Sequence, residues 1–256
     1  DILFWAQGLN VHLEYDVVIT EPDVSPIQLQ GPKSKDIMVK IFGNEILELK
    51  YYWFKKFKLG NINLLISRTG WSSEFGYEMF LLKTSDGDEL YETLMQEGKE
   101  LGLHPGHTST IRRIEGGMLS YHSDMDINTN PFELGLDKFI DLEKSFDFVG
   151  KDALIKIKKL GIQRKQVGLI IECEKLKGPN TKKWSIFKNQ QRIGQVTSAV
   201  YSPRLEQNIA LAMVDIEYSD INTSLKIKID DNLVDAKITV KPFFDPNKLI
   251  AKKSSI

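Results

Sequence analysis

The sequence predicts an α+β chain that changes character partway along, from mixed helices and strands to strands alone. Three observations carry this. Before about residue 160, segments with apolar residues at helical spacing alternate with short apolar runs of strand length. After Gln166 the pattern becomes short strand-like runs separated by Gly, Pro, Asn and Asp: Val167 to Glu172, Trp184 to Phe187, Ile193 to Thr197, Ile209 to Val214, Leu225 to Ile229 and Ala236 to Val240. Six such runs predict a small β-barrel or sandwich. Between the two parts lies the charged tract Lys156 to Lys165, where a domain boundary is expected.

Taken in order, Ile2, Leu3, Ala6 and Leu9 recur at helical spacing, with Gly8 near the expected end of a short helix. Val17 to Thr20 reads as a strand. Ile27 to Gln30 is a second short strand, broken by Gly31-Pro32, and Ser34 is a candidate cap for a helix over Asp36 to Phe42. The aromatic run Tyr51 to Phe54 and the basic run Lys55 to Lys58 could stack nucleobases, but a strand packed on one face explains them more simply. Asp86 with Glu89 has capping spacing before a helix that ends near Gly102. Thr108 or Ser109 is placed to cap a helix carrying Arg112, Arg113 and Glu115 that stops at Gly116-Gly117. Adjacent arginines point to different sides of a helix, so one can pair internally while the other reaches ligand or solvent. Asn130-Pro131 marks a turn, and Gly150 precedes a helix over Lys151 to Leu160.

The stretch INLLISRTGWSSEFGYEMFLL, Ile62 to Leu82, reads as strand, irregular loop, strand. Alternation puts Glu78, Phe80 and Leu82 on one face of the second strand and Tyr77, Met79 and Leu81 on the other. Burying Glu78 without a partner would cost roughly several kcal/mol, so it faces solvent or meets a donor-rich group.

Composition narrows the function classes. The chain of 256 residues is 41% hydrophobic and 27% charged, which is globular, and its 34 basic residues nearly balance 35 acidic ones. Nothing in that balance points to nucleic acid. A single cysteine, Cys173, excludes an intramolecular disulfide and a cysteine-rich metal site, and its apolar setting predicts a buried small side chain. His104 and His107 are separated by Pro105-Gly106 and cannot share a helix face as metal ligands, so no metal is expected. No apolar run is long enough to span a bilayer and no signal-peptide pattern is seen, so neither a membrane nor a secreted location is expected, and the cytoplasm is.

The loop sequence SRTGWSSEFGYE, Ser67 to Glu78, is similar to the S-R-[ST]-G-[YW]-[TS]-G-E-x-G-[YFV]-E box of the folate-dependent aminomethyltransferase family, which includes the glycine-cleavage T protein and dimethylsulfoniopropionate demethylase. Ser73 stands where most members have Gly, which matters if that site needs a positive φ. Leu29 to Ser34 resembles the family's L-Q-G-P-x-A/S segment. Arg113, Ile114, Glu115 and Gly117 fall on R-L-E-x-G of its second motif, while the first arginine of that motif falls on Ser109. NPFELGLDKFIDLEKSFDFVGKDAL from Asn130 resembles the family's bridge between domains, and IGQVTSAVYSPRLEQNIALAMV its C-terminal signature. The form T-S-T-I-R-R-I-E-G-G is closer to the demethylase branch than to the glycine-cleavage branch.

The resemblance implies a T-protein-like folate-binding main domain over residues 1–150 whose N-terminal part is missing, followed by a C-terminal all-β barrel over 164–245. It implies tetrahydrofolate as cofactor, with Glu78 holding the pterin, Trp71 and Phe80 as apolar walls, and Arg113 also in the cofactor site. The family's catalytic aspartate belongs to a motif upstream of this sequence, so no catalytic residue is assigned. The chain is then expected to be a fragment with exposed apolar surface, or a protein that cannot turn over. The implied reaction moves a methyl group from a small sulfonium such as dimethylsulfoniopropionate to N5 of tetrahydrofolate. The alternatives are an aminomethyltransferase of glycine cleavage, a betaine or dimethylglycine demethylase, and a non-catalytic folate-binding protein. Trp71 in place of the usual Tyr, Ser109 in place of Arg, and Phe80 beside Glu78 favour the sulfonium, whose cation an aromatic face attracts. The branch active in iron–sulfur maintenance carries K-G-C-Y-x-G-Q-E, and Cys173 lies in no such sequence. The expected partner is a small-molecule methyl donor, with a homodimer left open.

Overall fold

Side-chain alternation in the hairpin around residue 70 sets the first of two folded units. The computed structural model describes residues 2–14 and 16–253. One unit comprises Asp1–Gly70, Glu74–Gly106 and Ala251–Ile256, and the other Trp71–Ser73 and His107–Ile250. In the first unit the elements are α1 (Ile2–Leu13), β1 (Ser25–Gln30), α2 (Ser34–Phe42), β2 (Phe54–Leu59), β3 (Ile62–Ser67), β4 (Gly76–Leu81) and α3 (Gly87–Gly98). The strands form an antiparallel sheet in the order β1-β4-β3-β2.

Register explains which residues become core. Tyr77, Met79 and Leu81 are buried on one face, beside Ile66 and Leu64 of β3, and Ile37 and Met38 of α2 with Leu90 and Leu94 of α3 join them in one apolar cluster. Glu78 and Phe80 occupy the opposite face. They lie across from Gln28 and Pro26 on β1 and from Ser67 and Leu65 on β3.

Several local expectations are corrected. α1 continues through Gly8 to Leu13, although an interior glycine costs about 1 kcal/mol relative to alanine. Val17 to Thr20 is not a strand: its carbonyls at Val17 and Ile19 accept hydrogen bonds from the Asn10 and Gln7 side chains of α1. Ser34 begins α2 rather than capping it, and its hydroxyl donates to the Gly31 carbonyl at 2.7 Å. Strand β2 starts only at Phe54, leaving Tyr51 to Trp53 outside it. Asp86 makes no capping bond, and α3 stops at Gly98, with a 3-10 turn carrying the chain on to Gly102. Apolar exposure is heaviest in α1, where no residue is buried and Phe4 and Trp5 are 75% and 61% exposed.

The second unit holds α4 (Thr110–Glu115), α5 (Lys151–Leu160) and β5 (Arg164–Glu172), β6 (Trp184–Lys188), β7 (Gln191–Ser202), β8 (Gln207–Asp215), β9 (Ser224–Ile229) and β10 (Asn232–Thr239). All six predicted runs are strands, and they close into an antiparallel barrel in the order β10-β5-β8-β7-β6-β9. The barrel interior is filled by residues such as Val167, Leu169, Ile186, Val196 and Ile227. On its outer surface Val200, Ile209 and Leu211 pack against Ile114 of α4. Ser109 caps α4, accepting the Arg112 amide on its hydroxyl.

β7 and β8 approach closely at Gly194. A Cβ there would overlap the Met213 carbonyl oxygen and sit 2.9 Å from the Val214 Cα, both backbone atoms that side-chain rotation cannot clear. Gly194→Ala is therefore expected to destabilise the barrel by at least about 2 kcal/mol. A lowered denaturant midpoint at unchanged m-value is the measurement that checks it.

Candidate functional site

In the first unit the site is built around the start of β4. Glu78 is half-buried, and its Oε2 accepts a short hydrogen bond from the Thr69 hydroxyl, which is itself 2.5 Å from the Ser67 hydroxyl. Ser67 stands directly opposite Glu78 on β3, so the strand register creates this hydroxyl chain. Among the described residues no lysine or arginine pairs with Glu78, and its Oε1 has no hydrogen bond. A half-buried carboxylate held by one hydroxyl keeps acceptor capacity for an external donor. Phe80 shares its face and is also half-buried.

The loop before β4 is anchored from three sides within this unit. The Gln30 carboxamide packs against Gly70 and Gly76, where any Cβ would overlap it, and its Nε2 donates to the Thr69 and Tyr77 carbonyls at 3.3 Å each. These glycines are present for close approach, since neither has a positive φ. The Phe75 carbonyl accepts from the Gly31 amide at 2.8 Å and from the Ser34 hydroxyl at 3.2 Å, so the L-Q-G-P-x-S segment and the loop are one structure. Arg68 is the third anchor. It is 1% exposed, donates to the Gly76 carbonyl at 2.6 Å and to the Ala251 carbonyl at 2.9 Å, and lies 3.7 Å from the centre of the Phe75 ring. Burial pushes its pKa down.

In the second unit Trp71 and Arg113 come together, with the guanidinium 5.9 Å from the indole centre. Arg113 is buried and forms an ion pair with Asp124 at 2.8 Å, with a second bond to the Ser198 hydroxyl at 2.8 Å. Arg112 turns the other way and pairs with Glu115 at 3.1 Å. Asp124 is fully engaged: Oδ1 accepts from Thr197 at 2.6 Å and Ser198 at 2.7 Å, and Oδ2 from Arg113 and from the Ser120 amide at 2.9 Å. Consecutive strand residues normally face opposite ways. Here the register shift between Val196 and Ser198 lets Thr197 and Ser198 reach the same oxygen. Ser73 also belongs to this unit, with φ +57°, and its hydroxyl occupies the space that a Cβ on Gly116 would need.

Glu78 and Phe80 thus share one face in the first unit, and Trp71 and Arg113 share one cluster in the second. Gln30, Arg68, Thr69, Asp124, Thr197 and Ser198 were not predicted as contributors. Arg68 and Gln30 had a signal, being polar residues at the ends of apolar strands. Asp124 had none, because Thr197 and Ser198, the hydroxyls that fill its Oδ1, are 73 and 74 residues away in sequence.

The family profile of the GCVT N-terminal domain matches residues 4–144, and that of the glycine cleavage T-protein C-terminal barrel domain matches residues 164–245. The chain belongs to the glycine-cleavage T-protein family. A dimethylsulfoniopropionate demethylase of Ruegeria pomeroyi is 32% identical over 244 residues, covering 95% of this chain and 65% of the relative. An aminomethyltransferase of Thermoanaerobacter pseudethanolicus is 33% identical over 247 residues, covering 95% and 66%. The crystal structure of the glycine cleavage system aminomethyltransferase T from Bartonella henselae has the same fold, with a TM-score of 0.80 at 22% identity, over 94% of this chain and 66% of that one. The chain therefore spans slightly under two thirds of the length of these relatives.

Ser73 bears the left-handed backbone that glycine adopts without penalty, and among the described residues its hydroxyl gains a single 4.0 Å contact, with the Met118 sulfur. Ser73→Gly is expected to raise stability by about 0.5–1 kcal/mol, the αL penalty of about 1–2 kcal/mol being partly offset by the greater unfolded-state freedom of glycine. Thermal melts of the two proteins would read this as a small rise in Tm.

Proposed function

We propose that the protein is a tetrahydrofolate-dependent methyltransferase that takes a methyl group from dimethylsulfoniopropionate or a similar small sulfonium. The observation that supports this best is the state of Glu78: a half-buried carboxylate with one hydroxyl partner, an open oxygen, and an aromatic neighbour on its own strand face. An aminopyrimidine edge presents adjacent N–H donors that a carboxylate accepts in parallel. Thr69 fixes the carboxylate orientation by holding one oxygen, and Phe80 supplies an apolar surface beside it. Tetrahydrofolate would contribute N5 as the methyl acceptor.

Trp71 suits a cationic donor, since an indole face attracts a sulfonium or quaternary ammonium by roughly 0.5–2 kcal/mol. Arg113 is committed to Asp124 and Ser198, so its contribution runs through the orientation of Trp71. A second reading, aminomethyl transfer, is favoured by relatives of equal similarity that carry that activity in their names.

Two measurements test these readings. Glu78→Gln keeps the shape and removes the charge, so tetrahydrofolate affinity by calorimetry should fall about ten- to a hundredfold, the worth of a charge-assisted pair. Equal affinities would remove Glu78 from the site. For the donor, the full-length protein is given tetrahydrofolate with dimethylsulfoniopropionate, glycine betaine or dimethylglycine in turn. Formation of 5-methyl-tetrahydrofolate with the sulfonium is the expected result, whereas turnover confined to an amine donor, or to a lipoyl-carrying protein, selects the alternative.

A further inference from the structure

Lys241 and Gln166, on the outer surface of the barrel, have more hydrogen-bond donors than acceptors. Lys241 follows β10 and lies along the start of β5, where the absence of a side chain at Gly168 lets it pack flat: a Cβ there would sit 3.3 Å from the Lys241 Cβ. Its ammonium makes one hydrogen bond among the described residues, a short one to the Gln166 Oε1. Gln166 is 2% exposed, its backbone amide donates to the Glu133 carbonyl, and its Nε2 is buried with no partner. An amide nitrogen and an ammonium, both buried or nearly so and both short of acceptors, form an arrangement that an acceptor-only group would complete.

The charges around Lys241 define that group further. Asp124 is the acidic residue acting on it and Lys165 the basic one. Asp124 is already neutralised by Arg113 and has both oxygens occupied. Among the described residues no carboxylate bonds directly to the Lys241 ammonium, which is half-buried. Burial, with Lys165 adding to it and Asp124 opposing it, pushes its pKa down to about 8. One unbalanced positive charge calls for a monoanion, and two donor groups side by side suit the paired oxygens of a carboxylate.

We propose that the Lys241 ammonium and the Gln166 amide form a subsite for the carboxylate of a small organic anion. This builds on the methyltransferase reading, because dimethylsulfoniopropionate, glycine betaine and dimethylglycine all carry a carboxylate together with a cationic or amine centre. Trp71 and Arg113 belong to the same unit as this pair. Since the carboxylate binds the ammonium form, affinity is full below about pH 8 and declines as the pH rises through the pKa of the complex. Binding must raise the Lys241 pKa in return.

The test follows the ε-carbon resonance of Lys241 in lysine-labelled protein through a pH titration, alone and with propionate, dimethylsulfoniopropionate or p-aminobenzoylglutamate. The free protein should titrate near 8, and saturating propionate should move the midpoint upward by about one unit, equivalent to tenfold tighter binding by the ammonium form. Gln166→Met, which removes the amide while keeping length, should weaken propionate binding about tenfold, and Lys241→Met should abolish it. A response to dimethylsulfoniopropionate assigns the carboxylate to the methyl donor, and a response to p-aminobenzoylglutamate alone assigns it to the folate tail. A Lys241 midpoint that no carboxylate moves, or equal propionate affinity in wild type and Gln166→Met, overturns the subsite. Tetrahydrofolate affinity measured alongside keeps the two proposals apart, because loss of the carboxylate response with intact folate binding refutes only this one.

Discussion

A buried guanidinium with no carboxylate partner among the described residues organises the loop before β4. Taking the Arg68 charge out of water is strongly unfavourable, and the structure offsets that with carbonyl acceptors and aromatic faces instead of an anion. The choice has a geometric result. The Gly76 and Ala251 carbonyls are fixed by the fork of one planar group, which sets where β4 begins and where the C-terminal segment lies. Because β4 begins at Gly76, Glu78 falls opposite Ser67, and the hydroxyl chain through Thr69 can form.

The second unit solves a comparable problem by pairing. Asp124 and Arg113 are both buried, and each satisfies the other while the remaining sites are filled by two hydroxyls and a backbone amide. The bulge in β7 is the device that makes this work, since a regular strand would aim Thr197 and Ser198 to opposite sides. Set beside this saturated cluster, the unfilled donors at Lys241 and Gln166 stand out.

Family membership and local chemistry bear on different questions. The matches cover nearly the whole chain and identify the fold, while relatives of similar identity are a demethylase and aminomethyltransferases. Discrimination between donors is proposed to rest on individual side chains such as Trp71 and Lys241, which identity over the chain does not weigh.

Alternation and turn residues were enough to determine the six barrel strands, the helix over Lys151–Leu160, a cap at Thr108 or Ser109, which the structure places at Ser109, and the division of β4 into an apolar face and a face bearing Glu78. These are local properties, fixed by the period of the backbone and the chemistry of single residues. Val17 to Thr20 failed as a strand because side chains of α1 captured its carbonyls, a competition invisible in a short apolar run. The grouping of Trp71–Ser73 with residues 107–250, the partners of Asp124 and the open donors of Gln166 were decided only in three dimensions. They depend on which distant groups satisfy one another's hydrogen bonds and charges, and pairing of that kind has no sequence period to reveal it.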